Sequence, residues 1–230
     1  GLLLNMVLSY KRRNKIAKKI GVFHQDFEAQ YQTTTDFVSR MFENNLRDIE
    51  PYWVCLPMGS RCAVSNYQMY WYPWDPDKEE LWVRPMPKMP YIINMDNNPF
   101  DFYRYKMVQE DLYAEFGEWY SRQKKGKTIC LLGIRADESL NRYRAYANDR
   151  KTIMQGNQWT TKMGENWWNA YPIYDWTTKD VWIANGKFDY DYNRIYDLFW
   201  KAGLSISQMR VASPYHESAK ESLNLYRVLE

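Results

Sequence analysis

Apolar residues recur along this chain at two spacings, one typical of helices and one typical of buried strands. Between residues 33 and 47 the apolar positions recur at helical spacing, at Phe37, Val38, Met41, Phe42 and Leu46. The pattern also predicts helices over residues 2–13, 100–124, 177–184, 192–202 and 215–230. Continuous apolar runs predict buried strands at residues 19–25, 51–57 and 127–133.

The alternation of strands and helices indicates the fold class. It predicts an α/β chain with a parallel sheet and helices on both faces, in which residues 22–25, 53–56 and 129–133 are neighbouring strands. Residues 58–100 differ, because they hold many Trp, Tyr and Pro residues and show no sustained period. We interpret them as an aromatic-rich insertion that packs on the α/β body, since about forty residues seldom hold a core unaided.

Composition narrows the function classes. Lys and Arg total 31 against 28 Asp and Glu, a balance that argues against direct nucleic-acid binding. No apolar run approaches the length of a membrane span, so no membrane partner is expected. Three cysteines do not make a disulfide framework, which favours a reducing, cytoplasmic setting. Six residues separate Cys55 from Cys62 and the chain has two histidines, so a metal site is the minor alternative for these thiols.

Polar side chains cluster where two of the predicted strands end. The first cluster is His24, Gln25 and Asp26, and the second is Arg135, Asp137 and Glu138. Parallel sheets bind ligands at the carboxyl ends of their strands, so these clusters predict a site without specifying its chemistry. His24 lies inside the strand, where a core histidine with satisfied hydrogen bonds is favoured over a catalyst.

The charged residues have both a functional and a structural interpretation. Arg135 either grips a phosphate or sulfate through its planar guanidinium or forms a structural pair with Glu138 or Asp26. Asp26 either binds ribose or helps to hold Mg²⁺ beside phosphates, or it caps a loop or helix. For Arg142 and Arg144, the alternative to ligand contact is an exposed basic turn. We predict that Arg135 and Asp26 line one cleft, with Arg142 or Arg144 at its mouth.

Three segments carry a resemblance to a known family. Residues 133–139, GIRADES, followed by Arg142 and Arg144, resemble an element of phosphoadenosine phosphosulfate (PAPS) reductases and ATP sulfurylase small subunits. Residues 171–182, YPIYDWTTKDVW, resemble a second element of the same proteins. Residues 22–28 with the threonines at 33–35 resemble their strand that ends in Asp before a Thr-bearing helix. The Trp-rich residues 71–77 and 81–86 resemble one subgroup, the IbrA/YbdN type.

The resemblance implies a fold and a ligand. The fold is the adenine nucleotide α-hydrolase (PP-loop) fold, a Rossmann-like parallel sheet, forming a single domain over residues 1–230 with the insertion at 58–100. The implied ligand is ATP or PAPS, accompanied by Mg²⁺. The residues that match the nucleotide-binding positions are Asp26, Arg135, Glu138, Arg142 and Arg144.

The chain departs from the family pattern at three points. The phosphate loop, S-G-G-K-D-S, is not found, and the residues from Gly1 resemble the helix that follows that loop. We therefore expect an N-terminally truncated domain that lacks both this loop and the first strand of the sheet. No E-C-G-[IL]-H motif follows Gly203, which argues against thiol-dependent PAPS reduction. Three cysteines are too few for the four thiolates of a [4Fe–4S] cluster.

Two function classes follow from the resemblance. In the first, the intact protein is an enzyme that acts at the phosphate or sulfate of the bound nucleotide, through ATP α-β cleavage or group transfer. In the second, it is a non-catalytic co-activator of gene expression of the IbrA type, working with a ParB-like protein. The residues leave both open, and they assign no catalytic side chain.

Overall fold

The computed structural model describes residues 1–148, 150–220 and 222–229 and contains most of the elements that the hydrophobic pattern predicts. The helices are α1 (Leu2–Arg13), α2 (Gln32–Glu43), α3 (Gln109–Lys124), α4 (Leu140–Ala147), α5 (Thr178–Lys187), α6 (Ile195–Lys201) and α7 (Leu223–Leu229). The strands are β1 (Ile20–Gln25), β2 (Ile49–Val54), β3 (Ser60–Arg61), β4 (Tyr70–Trp71), β5 (Ile92–Ile93), β6 (Thr128–Leu131), β7 (Thr160–Lys162) and β8 (Trp167–Ala170). The chain is therefore mixed α/β, as expected.

The chain divides into two compact units. Unit 1 comprises Gly1–Ile16 and Glu110–Tyr192, and unit 2 comprises Ala17–Gln109 and Asn193–Glu230. Each unit contains a three-stranded sheet with a parallel pair.

The sheet of unit 2 has the strand order β1-β2-β5, and both pairings are parallel. The parallel pairing of β1 with β2, which the sequence predicts, is confirmed, and His24 lies opposite Trp53. Strand β2 is apolar and largely buried, with Ile49, Trp53 and Val54 fully inaccessible to solvent. Such burial is expected of a central parallel strand.

The sheet of unit 1 has the order β6-β8-β7, with β6 and β8 parallel and β7 antiparallel to β8. The prediction that residues 129–133 neighbour β1 and β2 is wrong, because β6 pairs instead with β8. Sequence patterns missed β8 because it has only four residues and includes the polar Asn169. The strand also differs from the expected buried run, since Ile129 and Leu131 are 47% and 40% exposed.

Helix α3 starts nine residues later than the hydrophobic period suggests. Residues 100–107 form turns instead, in which the N–H of Tyr103 donates to the carbonyl of Phe100 and that of Met107 to the carbonyl of Arg104. Lys106 adopts a left-handed φ of 59°, which a continuous helix does not allow. Its ammonium lies 2.9 Å from a carboxylate oxygen of the buried Asp75. A tertiary ion pair thus accompanies the delayed helix start.

The insertion at residues 58–100 lies within unit 2. It contributes β5 to the sheet, and it forms a short antiparallel hairpin from β3 and β4. Trp74 is 1% exposed and packs edge-on against Trp82. The pairing of β5 with β2 and the stacking of Tyr91 on Phe42 of α2 attach this segment to the rest of unit 2.

None of the helices within the described residues combines the length and the apolar character that crossing a membrane requires.

Packing between α3 and β8 gives a test of the unit 1 core. Gly117 of α3 faces the indole of Trp167, and a Cβ at this glycine would lie 2.7–2.8 Å from ring atoms. We expect Gly117→Ala to lower the free energy of unfolding by about 1–3 kcal/mol, because the ring must shift. In α5, a Cβ at Gly186 meets nothing within 4 Å, so Gly186→Ala should raise stability by about 0.5–1 kcal/mol. Urea unfolding measures both, and equal stabilisation by the two variants would contradict the described packing.

Candidate functional site

The two motifs of unit 1 meet at the carboxyl ends of β6 and β8. The GIRADES motif follows β6, the YPIYDW motif follows β8, and parallel strands bring these ends to the same edge of the sheet. The N–H of Ala136 donates to the carbonyl of Tyr174 at 2.7 Å, which joins the two motifs directly. We call Arg135, Asp137, Glu138, Arg142 and Thr178 the motif site.

Short-range capping holds the motif site in place. Residues Ala136–Glu138 form one 3-10 turn, and the hydroxyl of Ser139 then caps α4 by accepting from the N–H of Arg142. Thr177 caps α5 in a reciprocal capping box with Asp180. Asp175, two residues before Thr177, does not cap this helix, because α5 starts at Thr178.

Arg135 is the centre of the motif site. Its Nε donates to Asp137 at 3.2 Å, and its Nη2 donates to the hydroxyl of Thr178 at 3.1 Å. Asp137 in turn accepts from the backbone N–H of Thr178 at 3.1 Å, at the start of α5. The guanidinium thus connects the first motif to the second, and its side chain is 13% exposed.

Glu138 lies between two guanidinium groups. One of its oxygens lies 3.2 Å from Nη2 of Arg135, and the other forms a short ion pair with Arg142. The structural pairing of Arg135 with Glu138 is therefore present. Arg142 is 44% exposed, and Arg144 is exposed with no ion pair to any described residue. An anion arriving at this surface would compete with Glu138 for both guanidinium groups.

The second predicted cluster forms a closed network in unit 2. The carboxylate of Asp26 is completely buried, and its oxygens accept from Nε1 of Trp53 at 2.9 Å, from the N–H of Glu28 at 2.8 Å and from Arg84 at 2.5 Å. Trp74 donates through its indole N–H to the carbonyl of Asp26 at 3.0 Å. We call these five residues the Asp26 cluster.

Glu28 links the Asp26 cluster to the insertion. Its φ of 63° turns the chain after β1, and its carboxylate accepts from the backbone N–H groups of Trp74 at 2.8 Å and Val83 at 2.9 Å. Burial raises the pKa of Glu28, while the two N–H groups and the charge of Arg84 act in the opposite direction. The Arg84 guanidinium also lies 4.9 Å from the centre of a Trp74 ring. Sequence reasoning missed Arg84 and Glu28, because nothing in the local pattern shows that they contact each other.

The surroundings of Asp26 do not fit Mg²⁺. Its carboxylate oxygens already accept three N–H donors, and one donor is a guanidinium whose positive charge would repel a cation. Within the described part of the chain, no three His, Cys, Asp or Glu side chains are grouped so as to hold a metal ion.

Asp26 and Arg135 belong to different units of the chain. Asp26 follows β1 in unit 2, and Arg135 follows β6 in unit 1. The cleft that the sequence predicts between them stays a prediction. The motif site brings together Arg135, Glu138 and Arg142.

His24 packs as a core residue, but its hydrogen bonding differs from expectation. Its ring meets Trp53 edge-on at 5.1 Å, and its buried Nε2 has no hydrogen-bond partner among the described residues. Burial lowers the pKa of His24 to about 4, with the charge of Arg84 adding to the lowering and that of Asp26 opposing it. The His24 ring is therefore neutral at pH 7, and the expectation that its hydrogen bonds are satisfied does not hold for Nε2.

The chain is mixed α/β, and its two charged motifs follow the two strands of a parallel pair. The chain is 35% identical over 233 residues to "Uncharacterized protein YbdN" of Escherichia coli (strain K12), and the match covers 100% of this chain. This similarity supports a relationship to proteins of the YbdN type. The chain spans about half of that relative, 55% of its length. The family "Domain of unknown function (DUF3440)" matches residues 203–230.

The Asp26–Arg84 pair gives a test of the Asp26 cluster. Arg84→Ala leaves a fully buried carboxylate without its cation, so we expect it to lower the free energy of unfolding by about 3–5 kcal/mol. Adding Asp26→Asn removes the buried charge, and the double variant should lose less than the sum of the two single variants. Arg47→Ala, an exposed control in the same unit, should change stability by less than about 0.5 kcal/mol. Additive losses in urea unfolding would contradict the pairing.

The lowered pKa of His24 gives a pH-dependent stability. In the unfolded chain His24 takes up a proton near its ordinary pKa of 6.5, whereas in the fold it stays neutral down to about 4. Its stabilising contribution is therefore present above pH 6.5 and is lost as the pH falls from 6.5 to 4. Between pH 7 and pH 5 we expect a loss of about 2 kcal/mol from this group. His24→Phe keeps the ring contact, and its urea-unfolding stability should fall less steeply over that range.

Proposed function

We propose that this chain is part of a PAPS reductase-like protein of the PP-loop type with a Rossmann-like sheet, and that its motif site binds the anionic part of an adenine nucleotide, ATP or PAPS. The observation that carries the proposal is the meeting of the two motifs at the carboxyl ends of a parallel strand pair, joined through Arg135 and Thr178. This edge is where parallel sheets bind ligands. The similarity to YbdN over the whole chain supports the YbdN type, which is the subgroup that the Trp-rich residues resemble.

The chemistry of the motif site suits anion binding. Arg135 and Arg142 hold guanidinium groups next to each other through Glu138, and the planar fork of each guanidinium matches a phosphate or sulfate. Arg144 adds a third, exposed cation on the same helix as Arg142. A nucleotide phosphate would take over the bonds that Glu138 makes, and Glu138 would then turn towards solvent.

Covalent catalysis by thiols is not part of the proposal. Burial raises the pKa of Cys55 and of Cys130, so both thiols stay protonated and are weak nucleophiles at neutral pH. Action at the nucleotide's phosphate or sulfate is proposed for the intact protein, because the chain spans about half of its relative. This chain's share would be to bind and orient the anionic group.

A second candidate is the co-activator function with a ParB-like partner. It is favoured by the hairpin of β3 and β4, whose connecting residues expose Val64, Tyr67 and Met69 at 55%, 102% and 73%. Exposed apolar side chains grouped on one loop are typical of partner surfaces. Titration with a purified ParB-like protein separates the candidates: binding that Tyr67→Ser abolishes, without any nucleotide affinity, would favour the co-activator.

Isothermal titration with ATP, PAPS and AMP, with and without Mg²⁺, tests nucleotide binding. We expect Arg135→Lys to weaken binding by about 1–3 kcal/mol, because an ammonium cannot reproduce the fork of hydrogen bonds. Glu138→Gln should act in the opposite direction and tighten binding, because it removes the anion that competes with the ligand. Both side chains lie outside the apolar core, so the fold should persist.

Arg150→Lys, an exposed arginine of the same unit, serves as the matched control and should leave affinity unchanged. The assignment fails if the parent binds nucleotide and Arg135→Lys binds it equally well. If neither this chain nor the longer protein binds ATP, PAPS or AMP, the proposal of nucleotide binding is contradicted.

A further inference from the structure

Two contacts within the motif site hold Arg135 along one edge of its guanidinium group. Its Nε donates to Oδ1 of Asp137 at 3.2 Å, and its Nη2 donates to the hydroxyl of Thr178 at 3.1 Å. Two bonded points on a planar group, together with the side chain that carries it, fix the orientation of the plane. The guanidinium of Arg135 therefore has a defined orientation.

Asp137 closes these contacts into a ring. Its second oxygen, Oδ2, accepts from the backbone N–H of Thr178 at 3.1 Å, so Asp137 bonds to both Arg135 and the first residue of α5. We call this arrangement of Arg135, Asp137 and Thr178 the Asp137 ring. A carboxylate accepts at both of its oxygens and donates at neither, which is what two N–H donors facing it require. The side chain of Asp137 is 37% exposed, so it has no place in the apolar core.

The Asp137 ring leaves the other edge of the guanidinium to a ligand. Nε is committed to Asp137, whereas Nη2 also reaches Glu138 at 3.2 Å and Nη1 makes no hydrogen bond or ion pair to any described residue. An anion that displaces Glu138 would therefore meet the two Nη atoms, whose N–H groups form a fork. A guanidinium that is already oriented loses less conformational freedom on binding than a mobile one, and this favours affinity.

We propose that Asp137 is the positioning residue of the motif site, which orients Arg135 so that its two Nη atoms face the anionic group of the nucleotide. This inference rests on the proposed function, because it places the ligand at Arg135. Asp137 itself does not touch the ligand, since both of its oxygens are used within the Asp137 ring. Its negative charge repels an anion, so the gain from orientation has to exceed that repulsion.

Asp137→Asn separates the effect of orientation from the effect of charge. The amide has one acceptor oxygen and one NH₂ group, so it accepts from Arg135 or from Thr178 but not from both, and the Asp137 ring opens. The variant also removes a negative charge, which by itself would tighten the binding of an anion. We expect isothermal titration with ATP and PAPS to show the opposite, an affinity that falls about three- to tenfold.

Two further variants complete the titration. Asp189→Asn, at an exposed aspartate of the same unit, removes the same charge and should change affinity less than about twofold. In the Arg135→Lys background the ammonium has no plane to orient, so adding Asp137→Asn should leave the affinity unchanged or raise it. A general loss of stability would weaken binding in both backgrounds, so this comparison isolates the action of Asp137 through Arg135.

The orientation of the guanidinium is measured without any nucleotide. In ¹H–¹⁵N spectra of the chain, the Nε–H signal of Arg135 is assigned by its loss in Arg135→Lys. We expect it to exchange with water more slowly than that of the exposed Arg150, because it is bonded to Asp137. Asp137→Asn should speed this exchange about threefold or more, whereas Asp189→Asn should not. The same spectra show that the variants are folded.

Three outcomes would overturn the role of Asp137. They are unchanged or tighter nucleotide binding by Asp137→Asn, an equal weakening in the Arg135→Lys background, and fast exchange of the Arg135 Nε–H in the parent chain. A failure of the proposed function gives a different result, in which neither the chain nor the longer protein binds nucleotide. The exchange rate at Arg135 and its dependence on Asp137 then still decide whether the Asp137 ring orients the guanidinium.

Discussion

The burial of one carboxylate, that of Asp26, is the constraint on which unit 2 depends. A fully buried anion is stable only when donors surround it, and here the donors come from 2, 27 and 58 residues away, at Glu28, Trp53 and Arg84. The last of these lies in the insertion, so the aromatic-rich segment is a required part of the core. Trp74 and Val83 make the dependence mutual, because their N–H groups are satisfied by Glu28.

The motif site differs from the Asp26 cluster in its access to solvent. Its charges are also paired with one another, but Arg142 remains 44% exposed and Glu138 is shared between two guanidinium groups. Exchanging the anion beside Arg142 costs less desolvation than opening the Asp26 cluster, which would leave a fully buried charge without its partner. Of the two clusters that follow strands, the motif site is therefore suited to a ligand, and the Asp26 cluster is suited to holding the fold together.

In unit 1, one close packing contact sets the orientation of the sheet's side chains. The packing of Gly117 against Trp167 fixes one face, and the alternation of the strands then sends Trp168, Ile129 and Lys162 to the other.

By itself, the sequence determined the class of fold, most helices, the β1–β2 pairing and the position of charged motifs after strands, because these follow from local periodicity and from strand ends. Tertiary structure decided the partner of β6, since the polar Asn169 interrupts β8 and leaves it without the continuous apolar run that identified β6. It also decided which charged groups are enclosed by hydrogen-bond donors and which remain accessible to solvent. Asp26 and Glu138 both follow a strand in the sequence, but their surroundings differ in the fold. Asp26 is enclosed by Arg84 and Trp53, which come from distant segments. Glu138 pairs with Arg142, which solvent still reaches.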